Sequence, residues 1–400
     1  MVKKLLPLLF SLLFLVMTSN AQDFRVVGYL PYYRFDHSPQ IEYSKLTHLC
    51  LAFANPDMQG QLAIGGKDID PIVADAQQEG VKVLISIAGG ALTPDWEAAW
   101  EHLMEPENRT AYIHQLIQYT YDHNLDGIDL DLEWSHVNEK YSGFAIELSD
   151  SLKAHGKLFT AALPGTYRYP DISDAALTTF DFINMMVYDF TGPWAPNNPG
   201  QHSSYQFALD AVDYWTRQGV GPDRLTLGVP FYGYDFTDPS SVQGLTYRQI
   251  VERDPANAQV DQVGLIFYNG IPTIRRKTEL ALQRLSGIMM WELGQDTFDD
   301  LSLLDAIDEV IKGVSNTTGP LAQTELRAYP NPVYQDCVIE GPTLSNAQLV
   351  LVEVSGKIVA QRPWSGGRLS LEMGGLPAGF YVLNLMQNGA VLSAIKLMKR

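Results

Sequence analysis

Eight short β-type runs alternate with amphipathic stretches between residues 25 and 291, and this alternation limits the possible folds more than any other property of the chain. The runs are Arg25 to Leu30, Leu46 to Ala54, Lys82 to Ala88, Gly127 to Glu133, Leu158 to Leu163, Phe182 to Tyr188, Leu225 to Phe231 and Gly287 to Trp291. Helical spacing marks Ile69 to Gln78, Glu97 to His123, Glu139 to His155, Tyr205 to Gln218, Ile274 to Leu285 and Leu301 to Ile311. Strands separated by helices point to a closed (β/α)8 barrel or to an open doubly wound sheet. No Gly-rich phosphate fingerprint follows the first run, which disfavours the open, nucleotide-binding sheet, and a TIM barrel is expected. Such a barrel takes about 250 residues. A chain of 400 therefore implies a second, smaller domain.

The fourth run is chemically two-sided. It reads Leu-Asp-Gly-Ile-Asp-Leu-Asp-Leu-Glu-Trp from Leu125 to Trp134, with carboxylates at Asp126, Asp129, Asp131 and Glu133. Strand side chains alternate between faces, so Asp129, Asp131 and Glu133 share one face and Ile128, Leu130, Leu132 and Trp134 the other. Like charges in a row repel unless something uses them. In a barrel the apolar set faces the helices, the acidic set faces the axis, and Asp131 and Glu133 reach the C-terminal mouth, where barrel enzymes carry their active sites. Tyr188 and Asp189 end the sixth run and Trp291 the eighth, so polar and aromatic groups gather on the same rim.

Charge and composition remove several function classes. A net charge of −18 disfavours a nucleic-acid partner, which needs basic surface. The eight histidines show no pair at metal-ligand spacing and no Gly-x-Ser-x-Gly elbow occurs, so no metal and no cofactor is expected. Lys3 and Lys4 precede an apolar run from Leu5 to Met17, and Ser19-Asn20-Ala21 offers small residues for cleavage before Gln22. Residues 1–21 read as a signal peptide, with no transmembrane segment in the mature protein. Cys50 and Cys337 fall in different domains and read as two small buried apolar residues, not a disulfide.

The pattern Asp126-x-x-Asp129-x-Asp131-x-Glu133 resembles the catalytic signature of glycoside hydrolase family 18, the chitinases and their relatives. Further stretches are similar in the same order: Val27-Gly28-Tyr29, Thr47 to Asn55, Leu158 to Pro164, Met186 to Trp194, Leu227 to Gly233 and Gly287 to Asp296. The resemblance covers residues 25 to 312. Glycoside hydrolysis usually needs an acid and a second carboxylate some 5 to 9 Å away. Asp131, two residues from Glu133 on the same face, is too close to act from the opposite side of a sugar ring. The resemblance implies substrate assistance instead: Glu133 is the general acid/base, Asp131 orients the N-acetyl group whose carbonyl attacks the anomeric carbon, Asp129 shares a proton with Asp131, and Tyr188 bonds the acetamido oxygen. It also implies substrate-binding roles for Asp189, Trp291, Tyr232, Trp194 and Tyr29. Crowding would keep Glu133 protonated near neutral pH. Asp126 reads as structural, and Trp96 and Trp100 as packing residues four apart on a helix. Tyr234 stands where many members carry arginine, and Ala88 replaces the first glycine of Ser-x-Gly-Gly, where a local backbone shift is expected.

Residues 233 to 272 look too few for an extra α+β module, so a shallow, open groove is expected. The function implied is a secreted, retaining, endo-acting chitinase that cuts β-1,4 bonds between N-acetylglucosamine units of chitin or its oligosaccharides, as a monomer. An endo-β-N-acetylglucosaminidase acting on N-glycan cores and a non-catalytic chitin-binding lectin are the alternatives; lectin relatives typically lose the acid that Glu133 supplies. The catalytic domain is placed at residues 22–314 and a polar linker at 315–324. Residues 325–400 carry short strands and the hairpin signals Ser355-Gly356 and Asn388-Gly389, as a small β-sandwich would. Tyr329-Pro330-Asn331-Pro332, Gly356-Lys357, Leu376 to Tyr381 and Lys396 to Arg400 resemble the C-terminal sorting domain of the type IX secretion system of Bacteroidetes. That implies the type IX machinery as partner, passage through the periplasm, an extracellular or cell-surface location and removal of the domain. A carbohydrate-binding module would want a row of aromatic residues, and only Trp364 offers itself.

Overall fold

The structure is a computed structural model that describes residues 24–316, 326–341, 343–344, 347–353, 357–387 and 390–400. The signal-peptide segment, most of the expected linker and the turns Ser355-Gly356 and Asn388-Gly389 lie outside the described residues. The chain divides into two units, Met1–Lys312 and Gly313–Arg400.

The first unit is a closed parallel barrel. Its strands are Arg25–Pro31, His48–Pro56, Lys82–Gly89, Gly127–Leu132, Leu158–Pro164, Phe182–Met186, Leu225–Pro230 and Gly287–Trp291. Each pairs with the next in sequence, and the first closes the ring by pairing in parallel with the eighth (Val27 opposite Met289) as well as with the second (Val27 opposite His48). Among the described residues no helix is long and apolar enough to cross a membrane.

The fourth strand shows how the pattern becomes packing. Ile128, Leu130 and Leu132 are fully buried against Leu116, Phe144 and Leu148 of the helices Arg109–Asp122 and Tyr141–Ala154. Burying each of these side chains stabilises the fold by about 2 kcal/mol, so a one-residue slip that swapped the faces is strongly disfavoured. The opposite face enters the barrel, where a smaller cluster of Val27, Tyr29, Cys50, Ala52, Leu84, Phe182 and Met289 fills the space beneath the acids. Asp126 is structural: its Oδ2 accepts from Val83 N at 2.8 Å and Gln77 Nε2 at 3.1 Å, stitching the third strand to the start of the fourth. Both cysteines are free and buried, Cys50 in the barrel and Cys337 in the second unit.

The expectation that residues 233–272 hold no module is overturned. Tyr232–Asp235, Gln243–Thr246, Ile266–Phe267 and Gln262–Val263 form a four-stranded antiparallel sheet, with the helix Tyr247–Arg253 between its members. The helix starts from a capping box in which Thr246 and Gln249 satisfy each other's backbone N–H. Strands of two to four residues are too short to show an alternation, which is why sequence periodicity misses them.

The second unit is a β-sandwich. One sheet is Arg327–Tyr329, Asp336–Gly341 and Gly367–Glu372; the other is Ile358–Trp364, Ala347–Glu353, Gly379–Gln387 and Ala390–Lys399. Trp364 is buried with Leu349, Leu383 and Leu397 in the core between them, so it offers no platform for a sugar. The Tyr-Pro-Asn-Pro segment clasps the last strand, with Asn331 bonding Lys396 O and Met398 N and Val333 bonding Met398 O.

Gly127 opens the acidic strand because a side chain there would meet Leu158 O at 2.2 Å. Gly127→Ala is expected to lower stability by about 3 kcal/mol through overpacking against backbone, read as a fall in the thermal unfolding midpoint of the barrel.

Candidate active site

Asp129 lies deepest. Its Oδ1 accepts from Thr160 Oγ1 at 2.6 Å and Asn184 Nδ2 at 3.4 Å, and its Oδ2 from Ser86 Oγ at 2.7 Å and Tyr29 OH at 2.8 Å. Burial lifts its carboxyl above the usual range and these four bonds pull it back. Asp131, one pleat higher and 4% exposed, has no comparable support, since its Oδ1 has no hydrogen-bond partner among the described residues. Burial first, then the charges of Glu133 and Asp129, hold its carboxyl well above the carboxylate range. Glu133 follows the strand, and burial with a contribution from the Asp189 charge raises it to about 7. Asp131 thus feels both neighbours on its strand, Glu133 above and Asp129 below, while the four donors on Asp129 oppose the effect of its burial.

After Glu133 the chain departs from the alternation. Trp134 takes a left-handed backbone (φ 58°) and opens a short 3₁₀ turn. Its ring therefore swings to the mouth, 63% exposed, and does not join the helix-facing set. Nε1 donates to Gly90 O at 3.2 Å and the backbone N to Tyr169 OH at 3.0 Å. Gly90 itself leaves room for the acid, because a Cβ there would lie 2.4 Å from Glu133 Oε1. The substituted position Ala88 also adopts a left-handed backbone (φ 79°), a conformation glycine takes without strain. Its carbonyl accepts from Asn55 Nδ2 at 2.9 Å, and Asn55 Oδ1 accepts from the buried Trp100 Nε1 at 2.9 Å. Trp100 is a packing residue, and Trp96 packs against the same core while also standing on the cavity wall.

A cavity of about 420 Å³ gathers these groups. Tyr33, Phe53, Trp96, Asp131, Glu133, Trp134, Met186, Tyr188, Asp189 and Trp291 are among its lining residues. Trp291 is stacked on Phe53 at 5.4 Å, which fixes the ring across the floor. The one hydrogen-bond contact given by the Tyr188 hydroxyl among the described residues is a long 3.9 Å approach to Met289 Sδ. Burial and the surrounding carboxyls keep that phenol protonated, as a donor must be. Asp189 is held from outside the cavity, its Oδ1 accepting from Tyr232 OH and, at 2.9 Å, Tyr234 OH. Tyr234 thus puts a neutral donor on Asp189.

Two of the expected substrate contacts sit differently. The ring of Tyr29 borders the cavity, but its hydroxyl is committed to Asp129. Trp194 is 60% exposed and edge-on to Tyr234 at 5.8 Å; it lines neither this cavity nor its neighbour. That neighbour, about 660 Å³, is bordered by Tyr232, Tyr234, Thr246, Gln249, Arg34 and Gln295, and the two cavities share Asp189 and Trp291 among their lining residues. Trp134, Trp96, Asn55 and Tyr33 belong to the first cavity or support it without having been singled out for it, since nothing in their own spacing marks them.

Residues 25–296 match the family described as glycosyl hydrolases family 18, and residues 327–400 match the secretion system C-terminal sorting domain. The chain belongs to glycosyl hydrolase family 18 and carries a sorting domain of the type IX kind, which marks it for secretion. It is similar to the GH18 chitinase ChiB from the chitin utilization locus of Flavobacterium johnsoniae, with 46% identity, a TM-score of 0.72 and coverage of 74% of this chain and 96% of that one. A chitinase from Bacteroides thetaiotaomicron is 29% identical with a TM-score of 0.64, over 72% and 96% of the two chains. A chitinase-like effector of Moniliophthora roreri is 29% identical over 58% of this chain, and the match spans 64% of that protein's length.

Gly90→Ala is expected to leave the fold intact, because the atom displaced is the end of a flexible side chain, and to lower kcat about 100-fold by moving the Glu133 carboxyl. Circular dichroism alongside the rate on a chitin oligosaccharide checks both halves.

Proposed function

We propose that the chain is a retaining, endo-acting chitinase that hydrolyses β-1,4 bonds between N-acetylglucosamine units with help from the substrate's own acetamido group. The observation that carries this reading is the pairing of Glu133, raised to about 7, with Asp131, a buried acid whose Oδ1 lacks a donor. An acid that still holds its proton near neutrality can give it to a leaving oxygen. A carboxyl short of a donor beside it suits an amide N–H, and the acetamido group of N-acetylglucosamine supplies one.

In the first step Glu133 gives its proton to the glycosidic oxygen as the bond to the anomeric carbon breaks. The acetamido carbonyl oxygen bonds to that carbon and forms an oxazolinium ring, while Asp131 accepts the acetamido N–H and Tyr188 donates to the same acetamido oxygen. Glu133, now a carboxylate, takes a proton from the water that opens the ring, so the configuration is retained. Asp129 keeps Asp131 in register from below, and Trp291 carries the apolar face of the sugar. The junction of the two cavities at Trp291 supports endo cleavage, since sugar units can lie on both sides of the cut.

Glu133→Gln is expected to lower hydrolysis of chitin oligosaccharides by about 10³-fold or more while binding persists; fresh products of the wild type should be the retained anomer. Release from high-mannose glycoprotein and not from chitin would point to the N-glycan reading. Glu133 must be protonated to act, so kcat/KM should fall as pH rises through about 7. Deleting residues 325–400 is expected to leave an active barrel in the periplasm, and an undiminished extracellular yield would contradict the assigned role of that domain.

A further inference from the structure

Asp189 is the one cavity carboxylate on a backbone that resists its conformation, with φ at 62°. Its backbone N–H and that of the next residue both point at His202. His202 lies on the segment before the helix Tyr205–Arg217 and is fully buried, its ring 4.9 Å from those of Tyr232 and Tyr234. The Asp189 N–H donates to His202 Nδ1 at 3.4 Å, and the next N–H, of Phe190, donates to His202 O at 3.0 Å. Because a backbone N–H can only donate, Nδ1 accepts, and the imidazole proton sits on Nε2, 3.2 Å from Tyr232 O. Nδ1 also stands 3.5 Å from Asp189 Oδ1, the oxygen that both tyrosines bond.

The segment is itself braced. Lys277, fully buried on the helix Ile271–Arg284, directs Nζ to Ser203 O at 2.7 Å, Ser203 Oγ at 2.6 Å and Asn269 Oδ1 at 2.7 Å. The Ser203 hydroxyl in turn donates to Val187 O, two residues before Asp189. The titratable groups around the carboxylate are His202, Tyr232 and Tyr234 directly, Lys277 through Ser203, Tyr188 beside it, Asp131, Glu133 and Tyr33 on the same cavity, and Arg34, Arg248 and Glu252 along the adjoining groove.

We propose that His202 is a positioning residue for this reaction: as the Nε2–H tautomer it holds Asp189 in the left-handed conformation from which the Asp189 charge acts on Glu133. The inference rests on the reading of Glu133 as proton donor. Asp189 raises Glu133, so loosening Asp189 should let Glu133 lose its proton at lower pH.

Two variants separate the contacts. His202→Asn keeps an amide oxygen at the place of Nδ1, able to accept from Asp189 N–H. His202→Gln keeps a donor for Tyr232 O and carries its amide oxygen one carbon further out, away from the place of Nδ1 that Asp189 N–H bonds. Glu133 is titrated by ¹³C-carboxyl NMR on the full chain, its signal identified by absence from Glu133→Gln, and the basic limb of kcat/KM on a chitin oligosaccharide is measured beside it. The Gln variant is expected to bring both midpoints down by about half a unit, and the Asn variant to stay within about 0.2 unit of wild type. Equal midpoints for the two variants, shifted or not, would overturn the assignment. If the Gln variant does not fold, His202→Met, of similar reach and without a hydrogen-bonding side chain, takes its place with the same expectation. A wild type inactive on chitin oligosaccharides would leave the NMR comparison standing and count against the functional reading instead.

Discussion

A carboxyl group at the centre of a β barrel is tolerable only where donors converge on it, and everything above Asp129 depends on that convergence. Leaving it unpaired would cost several kcal/mol. Tyr29, Ser86, Thr160 and Asn184 come from the first, third, fifth and sixth strands, so no two of the four bonds are supplied by one strand. The barrel must therefore be closed and in register before the carboxyl group finds its donors. Once it is, Asp131 and Glu133 stand at fixed heights above it on a strand locked from behind by Ile128, Leu130 and Leu132.

The gradient along that strand follows from solvation and hydrogen bonding together. Asp129 is the most deeply buried and the best supplied, Asp131 is nearly as buried and under-supplied, and Glu133 sits at the rim beside a further negative charge. Three carboxyls of similar chemistry thus acquire different tendencies to hold a proton without any cation among them. The same logic gives Asp189 its neutral companions: two tyrosine hydroxyls and an imidazole steady it without cancelling its charge.

Much of this was legible in the sequence because period-two alternation is a direct image of a strand with two environments. The eight strands, the acidic face and Trp291 lie on regular elements, and Tyr188 and Asp189 follow the sixth strand by two and three residues. What escaped lies where the backbone leaves regularity. Parity places Trp134 in the helix-facing set, and one left-handed residue reverses it. The insertion sheet has strands too short for any period, and it brings Tyr232 and Tyr234 to Asp189 through tertiary packing alone. Tyr29 lies on a regular strand, yet nothing along the chain tells that its hydroxyl would be taken by a carboxylate a hundred residues away. His202 sits in a connecting segment and is identified only by what its two nitrogens touch.

The meeting of two cavities at Trp291 also bears on what happens after the bond is cut. On the proposed endo reading, a polymer bound across Trp291 becomes two pieces, one beside each set of lining residues. Neither piece has to pass the other, and neither has to be drawn back past the catalytic carboxyls. On that reading, departure of the leaving-group sugar would clear a path for the water that completes the reaction while the other half of the chain still holds the ring, and the two products would leave in sequence from the two sides of the cut.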